Sequence, residues 1–229
     1  MKKYIVNVAV TDLRREPVCA SPALTKDPLQ ESQVLLGEPV LVEKIVDGWA
    51  RVHVVNQPKF LPNGEWSGYP GWIKAADLSE EGKENPFPSS VSHSRDALIE
   101  RAHAFLGMPY LWGGRSPYNP ESLKVKTGVD CSGLVHLLYQ SIGIQLPRDA
   151  HDQFLTSECC QEGDLIPGDL IFSFDPAKSP RMDHVMLYIG NNCLIEAALS
   201  AQSVRKISLA DKFSVKDGTQ FLFGKVSAL

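Results

Sequence analysis

Cysteine is scarce in this chain, with five among 229 residues, and none of them falls at metal-ligand spacing. The count is odd and Cys159 and Cys160 are adjacent. This argues against a disulfide framework and for a reducing compartment. Also missing is any run approaching the roughly 18–20 apolar residues of a transmembrane helix. Basic charge is not in excess, with 23 Lys and Arg against 27 Asp and Glu, so neither nucleic acid nor an anionic membrane is expected as a partner. There is no internal repeat and no low-complexity tract. The start, Met1 to Val10, imitates a leader, but Asn7 interrupts its apolar run and Thr11-Asp12-Leu13-Arg14-Arg15-Glu16 offers no small-residue cleavage site. It reads as the first strand of a folded domain, and a cytoplasmic location is expected. The composition is otherwise that of a soluble globular protein, 43% hydrophobic, at a length that accommodates two cores.

Against that background one cysteine stands out. In Asp130-Cys131-Ser132-Gly133-Leu134-Val135 a Gly-containing loop turns into a helix whose apolar face is Leu134, Val135, Leu138 and Ile142. Cys131 therefore falls in the first helical turn, where unpaired N–H groups and the macrodipole favour an anion. A thiol there loses its proton more easily, and the thiolate is the nucleophile. The competing reading is a buried structural cysteine.

A base is available in Met182-Asp183-His184-Val185-Met186-Leu187-Tyr188-Ile189-Gly190. His184 opens a strand that stops at Gly190-Asn191-Asn192, and Cys193-Leu194-Ile195-Glu196-Ala197 returns. With a three-residue turn over 190–192, Met186 faces Glu196 and His184 lies diagonally beside Glu196 on one sheet face. The carboxylate would then hold Nδ1 of the imidazole and leave Nε2 for the thiol. Asp183 alternates to the opposite face and is a poor orienting group. Asp164 and Asp169 read as turn residues. His136 is placed on the solvent side of its helix or against a neighbour, and His53 and His103 as structural or solvated. No metal or cofactor is called for.

From about residue 92 to 225 the chain resembles the NlpC/P60 family of papain-like cysteine peptidases. Four segments carry the resemblance, in family order. They are Pro109-Tyr110-Leu111-Trp112-Gly113-Gly114, then Asp130-Cys131-Ser132-Gly133-Leu134-Val135, then Leu146-Pro147-Arg148-Asp149 with Gln153, and Pro167-Gly168-Asp169-Leu170-Ile171-Phe172 leading to Asp183-His184-Val185. The resemblance implies hydrolysis of bacterial cell-wall peptides, commonly at the γ-D-glutamyl to diamino-acid bond. It implies Cys131 as nucleophile, His184 as base and Tyr110 at the oxyanion. At the position of Glu196 the family most often has a second histidine, and a carboxylate there raises the pKa of His184. The stretch from Ser116 to Thr127 is longer than the usual link and is expected to cover one side of the cleft.

Before a polar, proline-broken linker at 81–91, residues 1–80 carry short strand-like runs at Tyr4–Val10, Glu38–Ile45, Trp49–Val55 and Gly71–Lys74. The phrases around Gly37-Glu38-Pro39, Asp47-Gly48-Trp49 and Gly68-Tyr69-Pro70-Gly71-Trp72 resemble bacterial SH3-like domains. An amphipathic helix is expected over Arg95–Leu106. The expected class is α+β: a papain-like catalytic domain over 92–229 preceded by a small SH3-like β-barrel. This layout is similar to that of recycling enzymes that act on murein tri- and tetrapeptides with a free N-terminal L-Ala. The resemblance implies that Asp130 and Ser132 hold that amine. Glu38 and Tyr69 from the barrel are the candidates to complete the pocket, against a solvated turn charge for Glu38 and barrel core for Tyr69. Arg148 would meet the D-Glu carboxylate, or else bond Asp149. The alternatives are an endopeptidase of the intact wall, a silent wall-peptide-binding module, and an acyltransferase or amidase on the same scaffold.

Overall fold

The computed structural model describes residues 1–20, 26–82, 94–117, 126–214 and 218–229. Most of the expected linker, and the middle of the Ser116–Thr127 stretch, lie outside these. Two antiparallel sheets organise the chain, one before the linker and one after the helices, which is the α+β order expected.

The first sheet holds β1 (Lys2–Val6), β2 (Val10–Arg14), β3 (Gln30–Leu35), β4 (Pro39–Val46), β5 (Trp49–Phe60), β6 (Trp66–Lys74) and β7 (Leu78–Ser79), in the spatial order β3-β2-β6-β5-β4-β1-β7. It curls around Val6, Leu13, Val34, Val40, Val52, Val54, Tyr69 and Ile73, the small SH3-like barrel expected from the turn phrases. Three features differ from the sequence reading. Thr11 to Arg14 is a strand of its own. The polar segment Gln30-Glu31-Ser32-Gln33 is a strand despite having no apolar alternation. And β5 runs five residues beyond Val55, through a register shift between Val54 and Pro58. Proline cannot donate to a ladder and is tolerated at such a bulge.

The second part opens with α1 (Arg95–Ala104), capped by Ser94, whose side chain accepts from the Ala97 N–H. It continues with α2 (Cys131–Ser141) and α3 (Ala150–Leu155). Then come β8 (Glu158–Cys160), β9 (Leu170–Phe174), β10 (His184–Gly190), β11 (Cys193–Ala198), β12 (Ser203–Ser208), α4 (Leu209–Phe213) and β13 (Gln220–Lys225). The sheet order is β12-β11-β10-β9-β13-β8. Its core joins Leu134, Val135 and Leu138 of α2 to Leu170, Phe172, Val185, Leu187 and Ile195, so the helix that opens with Cys131 rests directly on the strand that opens with His184.

Gly133 shows why the helix start is built as it is. A Cβ there would lie 2.2 Å from the Gly114 carbonyl oxygen, which is backbone and cannot step aside. Gly133→Ala is expected to destabilise the protein by about 1–3 kcal/mol through this overlap, read as a lower urea midpoint. An unchanged midpoint would mean that the two segments separate freely.

Among the described residues no helix is long and apolar enough to cross a membrane.

Candidate active site

Asp130 is the N-cap of α2; its Oδ1 accepts from the Gly133 N–H at 2.7 Å. That bond fixes Cys131 at the first helical position, almost buried at 9% exposure. Facing it, His184 starts β10. The hairpin turn is not the three-residue one expected. Asn191 and Asn192, at φ 51° and 54°, form a two-residue turn, and Gly190 pairs with Cys193 through a shift in register. The pairs Leu187–Ile195 and Tyr188–Leu194 nevertheless give the expected alignment, and His184 meets Glu196.

The ring nitrogens take the opposite assignment to the one read from the sequence. Nε2 of His184 bonds Glu196 Oε2 at 2.6 Å, which leaves Nδ1 for Cys131, whose sulfur acts on the ring electrostatically. Alignment of strands places the ring but does not say which of its edges faces the helix.

Glu196 is fully buried and saturated. Besides His184 it accepts from Arg205 Nε at 2.9 Å and Nη2 at 2.7 Å, and from Lys212 Nζ at 2.7 Å. Burial alone would raise its pKa, but the bonds from His184 and Lys212 hold it well below the usual carboxylate range. For His184 burial works against the charged form. The Cys131 sulfur and the Glu196 carboxylate outweigh it and push the imidazole up to about 9. A raised histidine pKa adds stability that is complete below the ordinary value of 6.5 and is lost as pH rises through about 9. Glu196→Gln removes one of the two anions, so the ring's NMR titration midpoint is expected to fall from about 9 toward 6.5. A midpoint that stays put would mean that Cys131 alone sets it. Arg205 and Lys212 were not singled out in the sequence. Arg205 was legible in principle, since it stands directly opposite Glu196 across the β11–β12 pair.

The cleft holds about 570 Å³ and is lined on one side by Tyr110, Trp112, Cys131 and His184 and on the other by the barrel residues Glu31, Lys59 and Tyr69. Tyr110 is half-buried; burial, then the neighbouring Cys131 and Asp130, push its phenol up, so it stays a donor. The Tyr69 ring packs in the barrel core while its hydroxyl reaches the cleft. The hydroxyl donates to Glu31 Oε2 at 3.0 Å, has both Asp149 oxygens at 3.2 Å, and receives Lys59 Nζ at 3.1 Å.

One candidate is corrected, and the surroundings of a second differ from those expected. Glu38 does not line the cleft. It is buried at the junction of the two parts, paired with Arg115 through Nη1 at 2.9 Å and Nη2 at 2.7 Å, and it accepts from the Leu35 N–H. Glu31, on the preceding strand β3, is a barrel carboxylate in the cleft; no apolar pattern marks its strand. Arg148 borders the cleft, but among the described residues it makes no bond to Asp149. Fully buried, it clamps Asp130 with Nη1–Oδ1 at 3.0 Å and Nη2–Oδ2 at 2.8 Å, and it also donates to Ser132 Oγ and to Ser32 Oγ of the barrel. Asp130 and Ser132 do border the cleft, as expected, but Asp130's charge is shared with that guanidinium. His136 is wholly buried, and burial with the nearby Arg115 and Arg148 holds it well below its ordinary pKa.

A helix-borne thiol, a strand-borne imidazole and a carboxylate on the next strand, on an α+β scaffold, define the papain-like class of thiol-dependent folds. Residues 107–222 match the NlpC/P60 family, and the chain belongs to it. It is 33% identical over 149 residues to the Bacillus cereus protein named gamma-D-glutamyl-L-lysine dipeptidyl-peptidase, covering 65% of this chain and 40% of that protein. To the Bacillus subtilis protein of the same name it is 25% identical, over 85% of this chain and 81% of that one. In fold it is similar to the crystal structure of an NlpC/P60 family protein from Bacillus cereus, with a TM-score of 0.73 at 23% identity over 91% of this chain and 94% of that one.

Proposed function

We propose that this protein is a cysteine endopeptidase that hydrolyses the γ-D-glutamyl to diamino-acid bond of cell-wall peptides and requires a free N-terminal L-Ala. The family and the names of the two Bacillus relatives support the reaction class. The observation that carries the substrate is the convergence of Glu31 and Asp149 on the Tyr69 hydroxyl, in the same cleft as Cys131. Two carboxylates and a phenol oxygen make a receptor for an ammonium. Each carboxylate keeps acceptor sites beyond its existing bond to Arg15 or Lys59, and Arg15 is well exposed, so its pair is weak and displaceable. An N-acyl group would bring no charge and would leave these groups unsatisfied.

In the mechanism His184 takes the Cys131 proton and the thiolate attacks the side-chain carbonyl of D-Glu. Tyr110 and the Cys131 N–H donate to the oxyanion. The imidazolium protonates the departing amine, and water then releases the acyl-enzyme. Residues 1–80 would serve as the wall of the site that reads the amine, and residues 92–229 as the catalytic domain. Free peptides of this kind arise in wall turnover, which is consistent with a recycling role inside the cell.

The test is incubation with L-Ala-γ-D-Glu-meso-diaminopimelate and its N-acetylated twin, with products identified by mass spectrometry. L-Ala-D-Glu is expected from the free peptide alone. Equal cleavage of both would discard the amine requirement, and cleavage of neither would discard the reaction.

A further inference from the structure

The carboxylate that holds His184 does not stand alone. Glu196 lies on β11, Arg205 faces it from β12, and Lys212 reaches it from α4, each within 2.7–2.9 Å of a carboxylate oxygen. Both cations come from elements outside the motif segments. Lys212 is mostly buried and Arg205 is 37% exposed. Two arrangements would have been simpler: a lone carboxylate on the imidazole, or a surface carboxylate paired with one lysine. Here one carboxylate carries two cations before the histidine is counted, so the unit presented to His184 bears one net positive charge rather than a negative one.

We propose that Arg205 and Lys212 are positioning residues of the catalytic centre, which spread the charge of Glu196 so that it orients His184 while limiting how firmly it holds the ring as an imidazolium. The inference rests on the reading of Cys131 and His184 as nucleophile and base. A general acid–base must both accept and release its proton. A histidine held too firmly in its charged form is a poor acid toward the leaving amine and a poor base toward water. Arg205 and Lys212 oppose that in two ways. They occupy acceptor sites on Glu196 that would otherwise strengthen its bond to the ring, and their charges repel the imidazolium directly. The other groups around the ring are few. Cys131 faces it from α2 and Tyr110 from the loop before α2. Asp183 precedes it on its own strand and is exposed, while His151 of α3 accepts from the Met182 N–H at 3.3 Å. Burial and the nearby Arg181 keep His151 below its ordinary pKa, so it adds no charge at neutral pH.

The experiment is an NMR titration of the His184 ring in the full chain, run alongside steady-state kinetics with the free tripeptide. Lys212→Met is expected to move the midpoint upward by on the order of one pH unit, opposite in sign to Glu196→Gln. It should lower kcat about tenfold with KM little changed, since the amine pocket is untouched. Lys212→Arg keeps the cation and is expected to hold the wild-type midpoint. A shift as large as that of Lys212→Met would make packing the cause and overturn the proposal. Arg205→Met carries the same expectation and involves the more exposed of the two, so it serves should Lys212→Met not fold. Unmoved midpoints in both overturn the inference. Failure of the underlying reading looks different, because His184→Gln would then keep its turnover.

Discussion

Cys131→Ala is expected to abolish hydrolysis of the free tripeptide, by at least ~10⁴-fold in kcat, while leaving the fold intact. The two halves of this expectation have separate causes. The catalytic half follows from the absence of another thiol in the cleft: Cys159, Cys160, Cys193 and Cys19 do not line it. With alanine no acyl-enzyme can form, and what remains is binding and an oxyanion site without a nucleophile. The structural half follows from position. Cys131 sits at the edge of the core and borders the cleft, the helix start is fixed by the Asp130 side chain, and the backbone bond from the Leu134 N–H to the Asp130 carbonyl does not involve the sulfur. Loss of one sulfur should cost about 1 kcal/mol. One effect does travel, however. The sulfur helps hold His184 in its charged form, so the ring's titration midpoint should fall in the same variant. Retained turnover would sink the assignment of the nucleophile. Lost turnover together with a lowered thermal midpoint of many degrees would leave it unproved, and Cys131→Ser, closer in size, would then decide.

Much of this centre was legible because its parts are local. A thiol at the first turn of α2 needs only an N-cap, a small residue at Gly133 and an apolar face, and all three lie close together in sequence. The pairing of His184 with Glu196 needs only a short turn, and the alignment came out as expected although the turn is shorter by one residue. The register shift between Tyr188 and Gly190 compensates for the missing residue. What was not legible is what depends on which edge or which partner a side chain finds. Either ring nitrogen of His184 fits the strand alignment. Arg148 was expected to meet a substrate carboxylate or its neighbour Asp149, and within the protein it takes Asp130, 18 residues away.

The barrel side of the cleft was harder, for a physical reason. Its working strand, Gln30–Leu35, has buried polar residues where a pattern search looks for apolar ones. Ser32 and Gln33 are inaccessible because they bond across the junction: Ser32 receives Arg148, and Gln33 donates to the Lys126 carbonyl and accepts from the Arg115 N–H. Burial of this kind is decided by the other half of the molecule. Glu38 illustrates the converse. It has the chemistry of an amine receptor and lies in a conspicuous turn, but the junction claims it first.

That junction carries the second large expectation. Glu38→Ala is expected to destabilise the protein by about 3–5 kcal/mol, because it leaves the Arg115 guanidinium inaccessible to water with, among the described residues, only the Gln140 side-chain oxygen as a near partner. An uncompensated buried cation costs far more than the pair contributes, since most of the pair's attraction only offsets the desolvation of its two members. The same logic predicts that Glu38→Met combined with Arg115→Met recovers most of the loss, a recovery that simple deletion of contacts would not produce. Urea denaturation of the three variants supplies the comparison. A cost below about 1 kcal/mol for Glu38→Ala would mean that water reaches Arg115 and the junction is not sealed. Should the double variant be as unstable as the single one, the ion pair would be giving net stabilisation that apolar packing cannot replace. The double variant also separates the two roles considered for Glu38. Because its carboxylate points into the junction and away from the cleft, preference for the free over the acetylated tripeptide should persist once folding is restored. Loss of that preference would return Glu38 to the amine pocket.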